Sequence, residues 1–292
     1  MALGVAVVMI SGSRVTAATI VFLSPLVAMF AIHFLRRPKL HANWVDEQAQ
    51  LATGQFDGEY VTIKNYRHTI YRSLDDYDVQ FLERRFDLSQ LCSIDFIAVP
   101  FSSWRGIAHV FVSFGFSDGE YLAVSVEARR KVGESYSPLG GLYQQYEMIY
   151  VFGDERDIVA KRALFQKNPV HLYPMISTPE YARMILVGML ESANDLAVVP
   201  EFYNTVTNTC TSNVLNHTSG LKKVPRRYDF RLVFPGYADG LAVETGLIEA
   251  PDGIEALREA TLINRRAEAA PMGDGKAWSR AIRAGETDPD SG

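Results

Sequence analysis

The longest unbroken apolar run in the chain is Val15–Leu35, VTAATIVFLSPLVAMFAIHFL, in which no helical face is kept for polar residues. About 20 apolar residues suffice to cross a bilayer. Pro25 is tolerated in such a helix and His33 lies near its end. Arg36, Arg37 and Lys39 close the segment with positive charge. The pattern favours a retained transmembrane anchor. The run exceeds the ~7–15-residue apolar core of a cleaved signal, and no A-x-A site follows it. A buried core helix would carry a polar face. Met1–Ile10 is a second, shorter apolar run that reads as the remnant of a first hydrophobic helix. Basic residues after a single anchor prefer the cytoplasm, which would put the following domain inside. On charge alone the orientation stays open between that arrangement and a double-pass one.

From Trp44 the period of the pattern changes. Glu59–Ile63, Ser89–Val99, Ile107–Gly115, Tyr121–Glu127 and Tyr146–Phe152 read as strands, being rich in β-branched and aromatic residues or alternating in polarity. Pro179–Leu190 carries Ala182, Ile185, Leu186 and Met189 at helical spacing, and Thr207–Leu215 opens on capping residues. A third helix is predicted over Gly253–Ala269. From Gly275 the chain is rich in Gly, Asp and charge and reads as a loose tail. Strands and segregated helices of this kind predict an α+β fold. The expected organisation is a membrane anchor and basic junction over residues 1–43, one compact domain over 44–272, and a disordered tail over 273–292.

Composition narrows the function classes. Of 292 residues, 48% are hydrophobic and 22% charged, which are globular values, and the net charge is −5. No basic stripe suggests a nucleic-acid partner. The two cysteines, Cys92 and Cys210, form no CxxC pair, so neither a disulfide scaffold nor a metal site is expected, and no cofactor motif is present. The sequence leaves a Cys92–Cys210 bridge open.

Cys210 is the candidate nucleophile. It sits in YNTVTNTCTSN, where Thr207 or Asn208 can cap a helix whose first turn includes the thiol. The positive end of a helix dipole lowers a thiol pKa, and backbone N–H groups of that turn, at Asn208 and Thr209, can stabilise an oxyanion. Cys92, between Leu91 and Ile94, reads instead as a buried structural thiol. His109 is the candidate base. If Ser117-Asp118-Gly119 is a three-residue hairpin loop, Phe116 faces Glu120 and His109 faces Glu127 on one side of the sheet. A carboxylate there could fix the imidazole tautomer, whereas a two- or four-residue loop would send Glu127 to the other face. Arg129, Arg130 and Lys131 read as a solvated run in preference to a substrate clamp, with Arg129 the candidate for the latter. His41, His68 and His171 lie without a partner motif, and His217 is two helical turns from Cys210.

The segments AHVFVSFGF, LAVSVEARRKVGESYSPLGGLYQQYEMIYVFGDERD and FYNTVTNTCTSN resemble the Lnb N-terminal periplasmic domain family, over about Trp44 to Ile248. The resemblance implies a periplasmic domain behind inner-membrane helices with a basic junction, as in FLRRPKLHANW. It implies a circularly permuted papain-like thiol enzyme, an antiparallel sheet packed against helices in which the His strand precedes the Cys helix. By that likeness Cys210 and His109 form the dyad and Glu127 orients the base. Where Asn-Asn-Cys is expected this chain has Asn208-Thr209-Cys210, which loses an amide beside the nucleophile. The implied activity is cysteine-dependent acyl transfer or hydrolysis through a thioester, with membrane-borne lipid, lipoprotein or peptide substrates. A cell-wall amidase or peptidase, and a non-catalytic binding domain of the same fold, are the alternatives.

Overall fold

The computed structural model describes residues 23, 24, 27, 30, 35–205, 213 and 229–285. The chain divides into two compact units, Met1–Pro38 and Lys39–Gly292. In the first, Leu23, Val27, Phe30 and Leu35 are helical and exposed. Among the described residues no helix is long and apolar enough to cross a membrane, and most of Val15–Leu35 lies outside them.

The second unit is built on one open sheet with helices on both faces, a mixed α+β architecture. Its strands are β1 (Thr53–Asp57), β2 (Tyr60–Tyr71), β3 (Tyr77–Asp87), β4 (Leu91–Pro100), β5 (Ala108–Phe116), β6 (Tyr121–Arg129), β7 (Glu147–Gly153) and β8 (His171–Pro174). They run in the order β1-β2-β7-β6-β5-β4-β8, with β3 also paired to β2. The ladders are antiparallel except where β2 meets β7 at Arg67 and Gly153. Gly153 is required there, because a Cβ would stand 2.7 Å from the Arg67 carbonyl oxygen.

Strand alternation divides the core between two faces. Val110, Val112, Phe114 and Phe116 of β5 join Leu122, Val124, Val126 and Ala128 of β6 on one face. Helix α3 (Pro179–Val198; the short α1, Pro138–Leu142, precedes β7, and α2 is given below) covers that face with Ala182, Ile185, Leu186, Met189, Leu190, Ala193 and Leu196. Thr178 caps it by accepting from the Tyr181 N–H, and the extended Val199, held out of the helical region by Pro200, stops it two turns beyond the predicted end. Phe111 of β5 and Ala123 of β6 point to the opposite face, with Ile149, Val151 and Leu172.

That second face is covered by α2 (Glu155–Ala160) and its continuation, by α6 (Asn264–Ala269) and by α7 (Gly275–Arg283). Two expectations need correction here. The single helix predicted over Gly253–Ala269 is two, α5 (Ile254–Thr261) and α6. Leu262 is extended and bridges His171, while the Ile263 N–H donates to the Val170 carbonyl, so pairing with the sheet edge outweighs helical continuity. The tail is not loose through Arg283. Asp274 caps α7 by accepting from the Lys276 and Ala277 N–H groups, and Trp278 and Ile282 are fully buried. Arg283 then pairs with Asp95 and Glu155 beneath the sheet. Two apolar residues one turn apart are a faint sequence signal, but an indole and a branched aliphatic together bury enough surface to hold a short helix.

Candidate functional site

The β5–β6 hairpin has the three-residue loop. Phe116 N–H donates to Glu120 O at 2.9 Å, Gly119 N–H to Phe116 O at 2.9 Å, and Gly119 takes φ +82°. The resulting register sets Gly115 opposite Tyr121 and Val112 opposite Val124. Beyond that pair the two strands part. β5 continues on β4 as far as Ala108–Pro100, and β6 continues on β7 as far as Arg129–Glu147. A cavity of about 270 Å³ opens at this end of the hairpin, lined by Ala108 and His109 from β5 and by Val126, Glu127 and Ala128 from β6.

His109 is half-buried at its wall, its ring stacked 5.4 Å from that of Phe111 at 27°. Glu127 shares its face of the sheet but does not touch it. Ser125 stands between, with its Oγ 2.7 Å from His109 Nε2 and 2.9 Å from Glu127 Oε1. Glu127 Oε1 also accepts from Arg162 Nη2 at 2.7 Å, and Oε2 from Gln48 Nε2 at 3.0 Å. Burial would raise the carboxyl pKa of Glu127. Arg162 foremost, then Arg67, His109 and Lys161, reverse this and hold it well below the carboxylate range. Desolvation first, and the Arg162 charge second, push His109 down to about 3, so its imidazole is neutral at ordinary pH.

The cationic side of the cavity comes from one local distortion. After α2, Lys161–Phe165 winds as a π-helical turn, closed by Gln166 N–H donating to Lys161 O at 2.9 Å. Single π turns of this kind recur at functional sites. Consecutive Lys161 and Arg162 both reach the cavity: Lys161 pairs with Glu47, and Arg162 with Glu127. Arg162 is further held by the Ile158 carbonyl at 2.6 Å and lies 4.9 Å over the Phe111 ring. The opposite side is aromatic, with Phe101, Tyr136 and Tyr203. Gln48, Ser125 and Arg162 had no motif to reveal them. Only the outward parity of Ser125 with Glu127 was visible in the hairpin.

Arg129 is neither solvated nor free to bind a substrate. It is buried, donates from Nε to Gln48 O at 2.9 Å and from Nη2 to Ala49 O at 2.8 Å, and stacks 4.2 Å over Trp44. Its donors hold the segment that carries Gln48 against β6, and burial pushes its pKa down to about 10. Cys92 also departs from expectation. It is a free, exposed thiol at the β4 bulge, its Sγ 3.3 Å from the Gly115 carbonyl oxygen. The extra residue of a bulge turns a side chain out of the alternation that would have buried it. His171 is structural, its Nδ1 3.0 Å from the Arg258 carbonyl oxygen, and His68 stands 3.8 Å from Asp154.

Cys210, Asn208 and Thr209 lie outside the described residues, as does His217 and nearly all of the helix expected over Thr207–Leu215. Described residues on either side of that segment have fixed partners. Tyr203 lines it and donates its N–H to Tyr146 O at 3.0 Å. Asn213 is buried and accepts from the Tyr150 hydroxyl at 3.2 Å. Tyr150 is the cross-strand partner of Val126, which also lines the cavity. Among the described residues no group of His, Cys, Asp and Glu is arranged to hold a metal ion.

Comparison with curated proteins and with solved structures gives no match. The family model of the Lnb N-terminal periplasmic domain matches residues 77–235, from β3 through the His109 strand, Cys210 and the turn before α4 (Ala238–Glu244). This is a narrower span than the resemblance suggested, since it leaves out β1, β2 and α4. It is nonetheless more than half of the 292 residues, and so the chain belongs to the Lnb N-terminal periplasmic domain family and carries a periplasmic domain.

Proposed function

We propose that this domain is a cysteine-dependent acyl-transfer enzyme of permuted papain-like arrangement, held to the inner membrane by Val15–Leu35, with Cys210 as nucleophile and His109 as general base. The observation that carries the reading is the state of His109. Its imidazole stands at the wall of a cavity and is linked through Ser125 Oγ to the Glu127 carboxylate, and Tyr203, seven residues before Cys210, lines the same cavity. A general base needs its ring held in one orientation within reach of the proton it takes, and the Ser125 contact with the stacking on Phe111 supports the first requirement.

In the proposed reaction the Cys210 thiol gives its proton to His109 as sulfur attacks an ester or amide carbonyl. The tetrahedral oxyanion collapses, and the leaving alcohol or amine takes that proton from His109. A thioester remains on Cys210. An incoming amine or water then loses its proton to His109 as it attacks the thioester, and the tetrahedral intermediate collapses to release the Cys210 sulfur, which takes that proton back from His109. An amine acceptor makes the enzyme an acyltransferase, and water makes it a hydrolase. A membrane anchor and the aromatic side of the cavity suit lipid or lipoprotein acyl donors. Incubation of the purified chain with a thiol-reactive acyl probe, followed by peptide mass spectrometry, tests the reading. The acyl group is expected on Cys210 in the wild type and absent in His109→Gln. Acylation confined to Cys92, or unchanged by loss of His109, would overturn it.

A further inference from the structure

We propose that Ser125 is the positioning residue of this site, a hydroxyl relay that holds His109 in the tautomer protonated at Nε2 and leaves Nδ1 bare to receive the thiol proton. The inference rests on the acyl-transfer reading for its purpose, but its geometry stands apart from Cys210.

The protons available around Glu127 fix the tautomer. Glu127 has three donors in place, Arg162 Nη2, Gln48 Nε2 and Ser125 Oγ, at 2.7, 3.0 and 2.9 Å. An ionised carboxylate only accepts. The Ser125 hydroxyl has one proton, and it is committed to Glu127. Ser125 is fully buried, so no bulk water competes for it. Its oxygen, 2.7 Å from His109 Nε2, can therefore only accept, and Nε2 must carry the hydrogen. A neutral imidazole has a single N–H, so Nδ1 is left with its lone pair, and among the described residues nothing hydrogen-bonds to it.

The divergence of β5 and β6 explains why a serine is needed. The ladder ends at Val112–Val124, and past that point the contact from Glu127 to the ring runs through Ser125. Ser125, two residues earlier on the same face, spans the gap, and its own backbone is held in register against Val151 of β7. The ring plane is fixed separately by stacking on Phe111. When Nδ1 takes the thiol proton, the imidazolium keeps its Nε2–H on Ser125, and Glu127 balances the positive charge through the same hydroxyl. Apart from the Cys210 thiol that gives the proton and His109 that takes it, no group changes protonation.

Two-bond 1H–15N correlation spectra of the full chain labelled with 15N-histidine test this, with the His109 signal identified by its loss in His109→Gln. The wild type is expected to show the Nε2–H tautomer alone at neutral pH. Ser125→Ala should move the signal to a mixture or to the Nδ1–H form, and should slow alkylation of Cys210 about tenfold. Ser125→Thr, which keeps the hydroxyl, should restore both. A role in packing alone would lower thermal stability in Ser125→Ala without changing the tautomer, and that result overturns the proposal. A wild-type Nδ1–H tautomer also overturns it, and settles the matter even if Ser125→Ala does not fold. The Nε2–H tautomer beside a Cys210 whose reactivity ignores His109 would leave the relay standing and remove the acyl-transfer reading instead.

Discussion

The side chains around His109 keep it uncharged, and this leaves a mark on stability. Burial and Arg162 depress its pKa from 6.5 to about 3, while in the unfolded chain it returns to the ordinary value. Between those pH values the unfolded chain binds one more proton, so acid favours unfolding there. The cost is absent above 6.5, grows as pH falls, and levels off below the folded pKa. Denaturant unfolding at pH 7 and pH 5 should show a loss of stability in the wild type that is smaller in His109→Gln. An equal loss in both would mean that His109 takes up its proton as easily folded as unfolded. At this scale the sequence was legible in part. His109, Glu127 and their shared face followed from the three-residue loop. The serine between them did not, because hairpin register predicts which residues face each other, not how far two strands part beyond the last ladder bond.

At the scale of elements, the segments with strong periodicity were readable, and those held by one or two buried residues were not. β5, β6 and β7 emerge from composition alone, because alternate positions fill two separate cores. α3 has a cap, a proline and seven apolar positions on one face. α7 has only Trp278 and Ile282, within a charged stretch that resembles a tail, and its position depends on partners far along the chain: Asp95, Glu155 and the second core. Trp278→Ala is expected to destabilise the domain by ~3–5 kcal/mol, the usual cost of emptying a large buried site. Chemical denaturation measures this directly. A change within about 0.5 kcal/mol, as for a surface residue, would show that the helix is not docked. The solvated reading of Arg129 failed for a related reason. A charge run on a strand looks exposed until the chain from Leu40 to Ala49, with Trp44 and the carbonyls of Leu40, Gln48 and Ala49, is known to fold back over it.

For the whole molecule, a sheet with two covered faces opens between β5 and β6, and the π turn after α2 delivers two cations to the opening. The family match contains Cys210 and every residue lining this opening except Glu47 and Gln48. The anchor and the thiol segment are the two parts that rest on sequence, the first on an apolar run of bilayer length and the second on its polar, capped setting. The thiol segment bears on the central claim, that Cys210 is activated by His109. The rate of Cys210 alkylation by iodoacetamide between pH 5 and 9, followed by peptide mass spectrometry in a Cys92→Ser background, tests that claim most directly. The account predicts reaction at neutral pH faster than an ordinary thiol allows, and a fall of about 10²-fold or more in His109→Gln, the scale of a positioned general base. A profile rising only near the ordinary thiol pKa of about 8.5, unchanged by the loss of His109, would contradict it.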